Sequence, residues 1–277
     1  MIDYLCIGHI CQDVVPNGSI LGGTAAYCSI AAHQLGKKVG ILTSFADDFQ
    51  FSDSFESIPL HRLASAQTTI FENVYSGNHR TQYLHQRALS IHSNHLPYEW
   101  TNPSIVHLAP IADEVDFSLI HAFSPDTLVA ATPQGWMRQW DPATGKVSPK
   151  VFDWTQLRSI DILIISEEDL AGYESALPQI VAQIPLVVLT KGKQPAEVYY
   201  QNQLCTFPVY PTQAVDPTGA GDTFAVGFLL EYATSRDIDR AMAHGHCLAS
   251  ICIESEGLEG LTNLTGLIKR VEKYLHL

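Results

Sequence analysis

The sequence is short of basic residues. Sixteen Lys and Arg stand against 29 Asp and Glu, a formal charge of −13 over 277 residues, and no basic cluster stands out. Tracking a phosphate backbone needs a basic face, so no nucleic-acid partner is expected. Also missing is any apolar run near the roughly 18 residues that cross a membrane, so no membrane association is expected. The opening Met1-Ile2-Asp3-Tyr4-Leu5-Cys6-Ile7-Gly8 has no basic stretch ahead of a long apolar one. It reads as a first strand rather than a signal peptide. Cysteine is present without any CxxC pair, and most of the six thiols sit in apolar runs, as small core residues do. A reduced, cytoplasmic protein is the expectation. His244-Gly245-His246-Cys247 is too tightly spaced for zinc and lacks a second ligand pair.

What is present is enough apolar content, 46% of residues, for a sizeable core. Runs rich in Ile, Val and Leu predict strands over 4–7, 39–43, 105–108, 128–131, 162–165 and 186–189. They alternate with helical patterns over 24–35, 169–173, 222–233, 238–253 and 264–274. Strand–helix alternation with strands apolar on both faces predicts an α/β architecture around a mainly parallel sheet. One region departs from this. Residues 68–75 and 80–86 alternate in strand fashion around the turn chemistry of Ser76-Gly77-Asn78-His79. They predict a hairpin apart from the main alternation. Joined by residues 14–20 it would form a small lid; an edge hairpin of the main sheet is the other reading.

The chemistry concentrates in Asp216-Pro217-Thr218-Gly219-Ala220-Gly221-Asp222. Pro217 resists a helix running in from Asp216. Small residues then open a helix, so free N–H groups and a favourable dipole face whatever lies ahead. Such a turn can hold the charge of a phosphoryl group in transfer, and Asp222 is placed to act as a general base. A bare GxGD would equally suit a capping Asp after a glycine turn.

The longer string through Thr223-Phe224 resembles the C-terminal signature of the ribokinase, or PfkB, family of carbohydrate kinases. The resemblance implies a three-layer ribokinase-like α/β fold with a central mainly parallel sheet and a small β lid. It also implies a single kinase domain over 1–277, with lid segments near 13–21 and 67–88. Gly219, Ala220 and Gly221 would then form the anion hole and Asp222 the base. Asp216 and Thr218 match positions that in some members help bind a monovalent cation such as K+. Gly8-His9-Ile10-Cys11-Gln12-Asp13 and Leu21-Gly22-Gly23-Thr24-Ala25-Ala26-Tyr27 resemble the substrate side. Asp13 would accept adjacent hydroxyls there and Gly22-Gly23-Thr24 would approach the sugar. Tyr27 stands where an Asn is common. Ser166-Glu167-Glu168-Asp169 replaces an Asn-x-x-Glu motif, which points to Glu168 and Asp169 as organisers of Mg2+, mainly through water. Thr190-Lys191-Gly192-Lys193 resembles the turn beside the nucleotide, giving Thr190, Gly192 and Lys193 as nucleotide contacts with Thr218, and His246 as a contact to adenine. Gln86 and Arg87 on the hairpin are candidate substrate contacts.

Short strings in order look most like plant-type myo-inositol kinases. They include Cys11-Gln12-Asp13-Val14, Asn17-Gly18-Ser19 and Tyr210-Pro211-Thr212. The expected activity is ATP- and Mg2+-dependent phosphorylation of a small sugar or polyol, with a cyclitol first. A pentose or nucleoside kinase of the same fold is the alternative, and a non-catalytic ligand sensor the second. A monomer and a homodimer are both compatible.

Overall fold

The computed structural model describes residues 1–77 and 79–276; Asn78, in the expected hairpin turn, and Leu277 lie outside the described residues. A nine-stranded sheet runs through the molecule. Its parallel part comprises β1 (Tyr4–Ile7), β4 (Val39–Phe45), β5 (Leu60–Ala64), β8 (Ile105–Leu108), β9 (Leu128–Ala131), β12 (Ile162–Ser166) and β13 (Leu186–Lys191). The antiparallel strands β14 (Gln194–Tyr200) and β15 (Gln203–Phe207) extend one edge, in the order β15-β14-β13-β12-β9-β8-β1-β4-β5.

Strand alternation explains the layers. Tyr4, Cys6, Ile41, Ile105, Ile164 and Val188 point into one core, which packs α1 (Thr24–Gln34), α3 (Ala220–Ser235), α4 (Ile238–Cys252) and α5 (Leu267–Tyr274). Leu5, Ile7, Leu42, Val106, Leu163 and Val187 point into the other, against α2 (Leu177–Gln183) and short turns bearing Leu119, Trp136 and Trp154. Both faces are covered, as the continuous apolar strands require. Helix α1 buries Ala25, Ala26, Cys28, Ala31 and Ala32, small side chains that let it lie close to the sheet and to α3.

The segment that broke the pattern forms a separate four-stranded sheet in the order β3-β2-β6-β7. It is built from β2 (Cys11–Val15), β3 (Gly18–Gly22), β6 (Thr69–Ser76) and β7 (His79–Gln86). A two-stranded ribbon, β10 (Arg138–Trp140) and β11 (Val147–Pro149), docks along β7 through a bridge between Tyr83 and Lys146. The helix expected over 169–173 is a turn instead. Ser166 and Asp169 cap one another there: the Ser166 hydroxyl donates to Asp169 Oδ2 at 2.7 Å and the Asp169 amide donates back at 3.1 Å.

Candidate active site

The first turn of α3 is locked from several sides. The amide of Val215 donates to the carbonyl of Ile253 at 2.7 Å. The Asp216 carboxylate accepts from the amides of Thr218, 2.9 Å, and Gly257, 3.0 Å. Gly219 then turns through φ 78°, ψ 0°, a left-handed conformation suited to glycine. A Cβ there would also stand 2.2 Å from the Tyr27 ring. The Ala220 amide donates to Pro217 O at 3.2 Å and the Thr223 amide makes the first α-helical bond, to Gly219 O at 2.9 Å. Among the described residues the amides of Gly219, Gly221 and Asp222 are therefore the free donors of this helix N-terminus.

Asp222 lies in this turn, partly exposed. Burial pushes its pKa up to about 6; Asp169 and Asp13 push the same way, while a hydrogen bond from Thr24 and the Arg138 charge oppose the rise. Burial likewise raises Asp13 to about 6, against the pull of Cys11, Arg138 and Arg80. Two carboxylates and the cation of Arg138 therefore share one electrostatic site. Burial lowers Arg138 to about 10, and it stays charged at neutral pH. Its guanidinium donates to Ile111 O at 3.2 Å and lies 5.9 Å from the Phe71 ring centroid.

The second sheet supplies the opposite wall. Asp13 pairs with Ile20 on one side and with Phe71 on the other, so these share its inner face. Gly22 approaches Asp13 so closely that a Cβ would stand 2.5 Å from Oδ2. One step along from Phe71 and Leu84, Asn73 faces Gln82, whose Nε2 donates to Asn73 Oδ1 at 3.1 Å.

A carboxylate raised to about pKa 6, a helix N-terminus, a cation and a second carboxylate are the groups that phosphoryl transfer to a hydroxyl requires. Comparison with known proteins agrees. Residues 147–263 match the pfkB family of carbohydrate kinases. The chain is similar to that family over this stretch, which includes the α3 turn. It is 25% identical to a cytidine kinase of Thermococcus kodakarensis over 88% of this chain and 94% of that one. It is also 25% identical to an inositol 3-kinase of Arabidopsis thaliana over 91% of this chain and 74% of that one. A solved pyrophosphate-dependent kinase of the ribokinase family, complexed with a pyrophosphate analogue and myo-inositol, superposes with a TM-score of 0.77 at 19% identity, covering 92% and 96% of the two chains. The protein is thus a phosphotransferase, a sugar or nucleoside kinase with a ribokinase-like fold.

Within this kinase, several expected site residues lie elsewhere or point elsewhere. Arg87 is not open to substrate, because its guanidinium donates to Ala112 O and Asp113 O, each at 2.7 Å, and to Ser90 Oγ at 2.9 Å. Gln86 is exposed and pairs with Ile70, away from the Asp13 face. Tyr27 is 2% exposed, and its hydroxyl has no hydrogen-bond partner among the described residues. Its ring lies against Gly219. His246 is buried between Phe224 and Tyr274, at centroid distances of 4.9 and 5.6 Å. In that packing it does not present its ring to a base. Glu168 is exposed, whereas Asp169 keeps Oδ2 on Ser166 and makes no hydrogen bond through Oδ1 among the described residues. Thr190 is half-buried at the end of β13, followed by exposed Gly192 and Lys193. Lys191 forms an ion pair with Glu197.

The structure adds residues that sequence reasoning missed. Arg138 is the first. The second is Glu114, 1% exposed, whose carboxylate accepts from the amides of His9 (2.9 Å), Ile111 (3.0 Å) and Ala112 (2.6 Å). It pins the loop before Asp13 to the body. Third is a buried polar chain behind Asp222. Cys28 Sγ donates to the Asp222 carbonyl at 3.4 Å, Tyr4 Oη meets His107 Nδ1 at 2.6 Å, and His107 Nε2 meets Thr132 Oγ1 at 3.0 Å. Burial lowers His107 to about 3, so it is a neutral partner. Only the Gly8-to-Asp13 motif, which needs a fixed loop, offered a hint of Glu114.

Proposed function

We propose that this kinase transfers the γ-phosphoryl group of ATP to a hydroxyl of a small polyol, a cyclitol of the myo-inositol type first. The observation that carries the reading is that Asp222, at the N-terminus of α3, feels the charges of Arg138 and of Asp13 on the second sheet. Asp13 would accept two neighbouring acceptor hydroxyls, with Gly22 giving it room. Asp222 would take the proton from the attacking hydroxyl. As the acceptor O–P bond forms, the bond from the γ-phosphorus to the β–γ bridging oxygen breaks and ADP leaves. The free amides of Gly219 and Gly221, with Ala220 between them completing the turn, and the Arg138 guanidinium would stabilise charge on the transferred group.

The donor would lie between Thr190–Lys193 and the α3 turn. Asp169 Oδ1 and Glu168 are oxygen ligands of the kind that suit Mg2+. Among the described residues no three His, Cys, Asp or Glu side chains converge on a metal. This fits an ion held largely by donor phosphates and water, which would neutralise donor charge. Asp216 already ties two backbone amides, a role that needs no cation. The second sheet acts as a lid that excludes water from the transfer. Among the described residues no helix is long and apolar enough to cross a membrane, and the site takes small molecules; a cytoplasmic kinase fits both.

Support for a cyclitol over ribose comes from Tyr27, which stands where an Asn is common in the family it resembles, and from the 25% identity to an inositol 3-kinase. The similar identity to a cytidine kinase favours a nucleoside as the second reading. The test is a turnover screen of inositols, pentoses, hexoses and nucleosides, with ATP or pyrophosphate as donor and with or without K+. Best kcat/KM on an inositol with ATP is expected. Preference for a nucleoside, or for pyrophosphate, would replace the corresponding half of the reading, and thermal stabilisation without turnover on any acceptor would return the sensor.

A further inference from the structure

The ribbon β10–β11 joins two things that the fold otherwise keeps apart. Its first residue is Arg138, in the electrostatic site. Its tip is fastened to the second sheet: Leu84 N donates to Gly145 O at 2.8 Å, and Tyr83 bridges to Lys146. Gly145 sits at φ 72°, and a Cβ there would stand 2.5 Å from Leu84 O. Trp140 and Val147 pack against Cys11, Phe71 and Leu84 of the second sheet and Ile111 and Ala112 of the body. The Arg87 guanidinium, at the end of β7, lies 5.9 Å from the Trp140 ring centroid. At its far end the ribbon is moored to the body by Lys150, whose amide donates to Met137 O at 2.8 Å and whose ammonium pairs with Asp113 at 2.5 Å.

We propose that the 138–149 ribbon moves as one unit with the second sheet and places Arg138, so that acceptor capture on the Asp13 face and charge stabilisation at the α3 turn are set by one contact at Gly145–Leu84. Gly145 is then a positioning residue acting through Arg138. The consequence is selectivity against water. A small acceptor that leaves the second sheet loose also leaves Arg138 out of register, so the donor is not hydrolysed. The proposal rests on the phosphoryl-transfer reading of the site, but not on the acceptor's identity.

A double-mutant cycle tests it. Gly145→Val is expected to lower kcat for transfer by at least tenfold with donor KM within threefold. In an Arg138→Met background the same change is expected to cost less than twofold, because its effect passes through the missing guanidinium. Additive losses would overturn the coupling, as would unchanged turnover in Gly145→Val. Should Gly145→Val not fold, Trp140→Ala trims the same contact and enters the cycle in its place. Hydrogen exchange supplies a readout that needs no acceptor, and so separates failure here from failure of the substrate assignment. In the unmodified protein the amides of Leu84, on the second sheet, and Asp141, which donates to Lys146 O at 3.0 Å within the ribbon, are expected to show protection within threefold of each other. A gap above tenfold would mean that sheet and ribbon open separately, and would overturn the proposal.

Discussion

The two walls of the site are held by different amounts of core. The α3 turn rests on the larger core, where Tyr27, Cys28, Phe224 and Ala225 pack with Tyr4, Cys6 and Ile41. The second sheet rests on a cluster of Cys11, Phe71, Leu84, Ile111 and Ala112, helped by a few long-range hydrogen bonds. Among these, Thr69 Oγ1 meets His9 Nδ1 at 2.7 Å and His9 Nε2 meets Leu89 O at 2.8 Å. Few buried apolar contacts mean low local stability. The kinase therefore keeps the proposed proton acceptor and anion site on a rigid scaffold, and the proposed acceptor-binding carboxylate on a lightly held one. Chemistry that depends on sub-ångström placement benefits from the first; admitting and enclosing a substrate needs the second.

The sharpest way to break this comparison is at the rigid wall. Asp222→Asn should lower kcat by about 10³-fold while donor binding survives, measured by steady-state turnover and donor titration. In the unaltered enzyme, kcat/KM should fall as pH drops through about 6, the pKa to which Asp222 and Asp13 are both raised. Below it the carboxyl is protonated and cannot accept the hydroxyl proton. Because two groups titrate together, the limb should be steeper than one proton. The stability effect has the opposite sign. A folded pKa above the unfolded one gives stability that is full below about 4 and lost as pH rises through 6. At pH 7.5, Asp222→Asn should thus melt slightly higher, by about 2 °C. A variant with full turnover would remove Asp222 from the role of base.

The next largest effect is expected where the walls meet. Arg138→Met should cost about 10²-fold in kcat with a smaller change in acceptor KM. The cation also opposes the raised pKa of both Asp222 and Asp13, so the acid limb should move to higher pH. A loss confined to KM, with the limb unmoved, would make Arg138 a binding group remote from the transferred charge.

The same contrast governs what could be read from sequence. The parallel strands were legible because each is a short run of Ile, Val and Leu bounded by polar residues, and β1, β8 and β9 keep their expected limits. The α3 turn was legible because its chemistry is local: Pro217, two glycines and Asp222 lie within six residues. The ribbon was not. Arg138-Gln139-Trp140 and Val147-Ser148-Pro149 are too short for a period to register, and their partner β7 lies far back in the chain. Arg138 reaches the site only through that pairing. For Arg87, His246 and Tyr27 the sequence named a plausible residue type, but packing decided direction. Arg87 found two backbone carbonyls, and His246 found a stack with Tyr274. At Ser166 and Asp169 a mutual side-chain cap replaced the helix that acidic residues suggested.

The smallest effect expected is the most telling about the rigid wall. Tyr27 stands where the family resemblance suggests a substrate-binding polar group, and Tyr27→Phe removes only its hydroxyl. That oxygen is buried and, among the described residues, has no hydrogen-bond partner. Burial raises its pKa, so it stays protonated. Deleting an unsatisfied buried hydroxyl forfeits no hydrogen bond and relieves a desolvation cost, so stability should stay level or rise by about 1 kcal/mol, read from a urea midpoint. The ring under Gly219 is retained, so kcat and acceptor KM should stay within twofold. Tyr27→Ala, by contrast, removes the ring that Gly219 rests on and should cost about 3 kcal/mol or more together with turnover. A tenfold rise in acceptor KM for Tyr27→Phe alone would mean that the hydroxyl rotates out to meet substrate. The α3 wall would then share the adaptability assigned here to the second sheet.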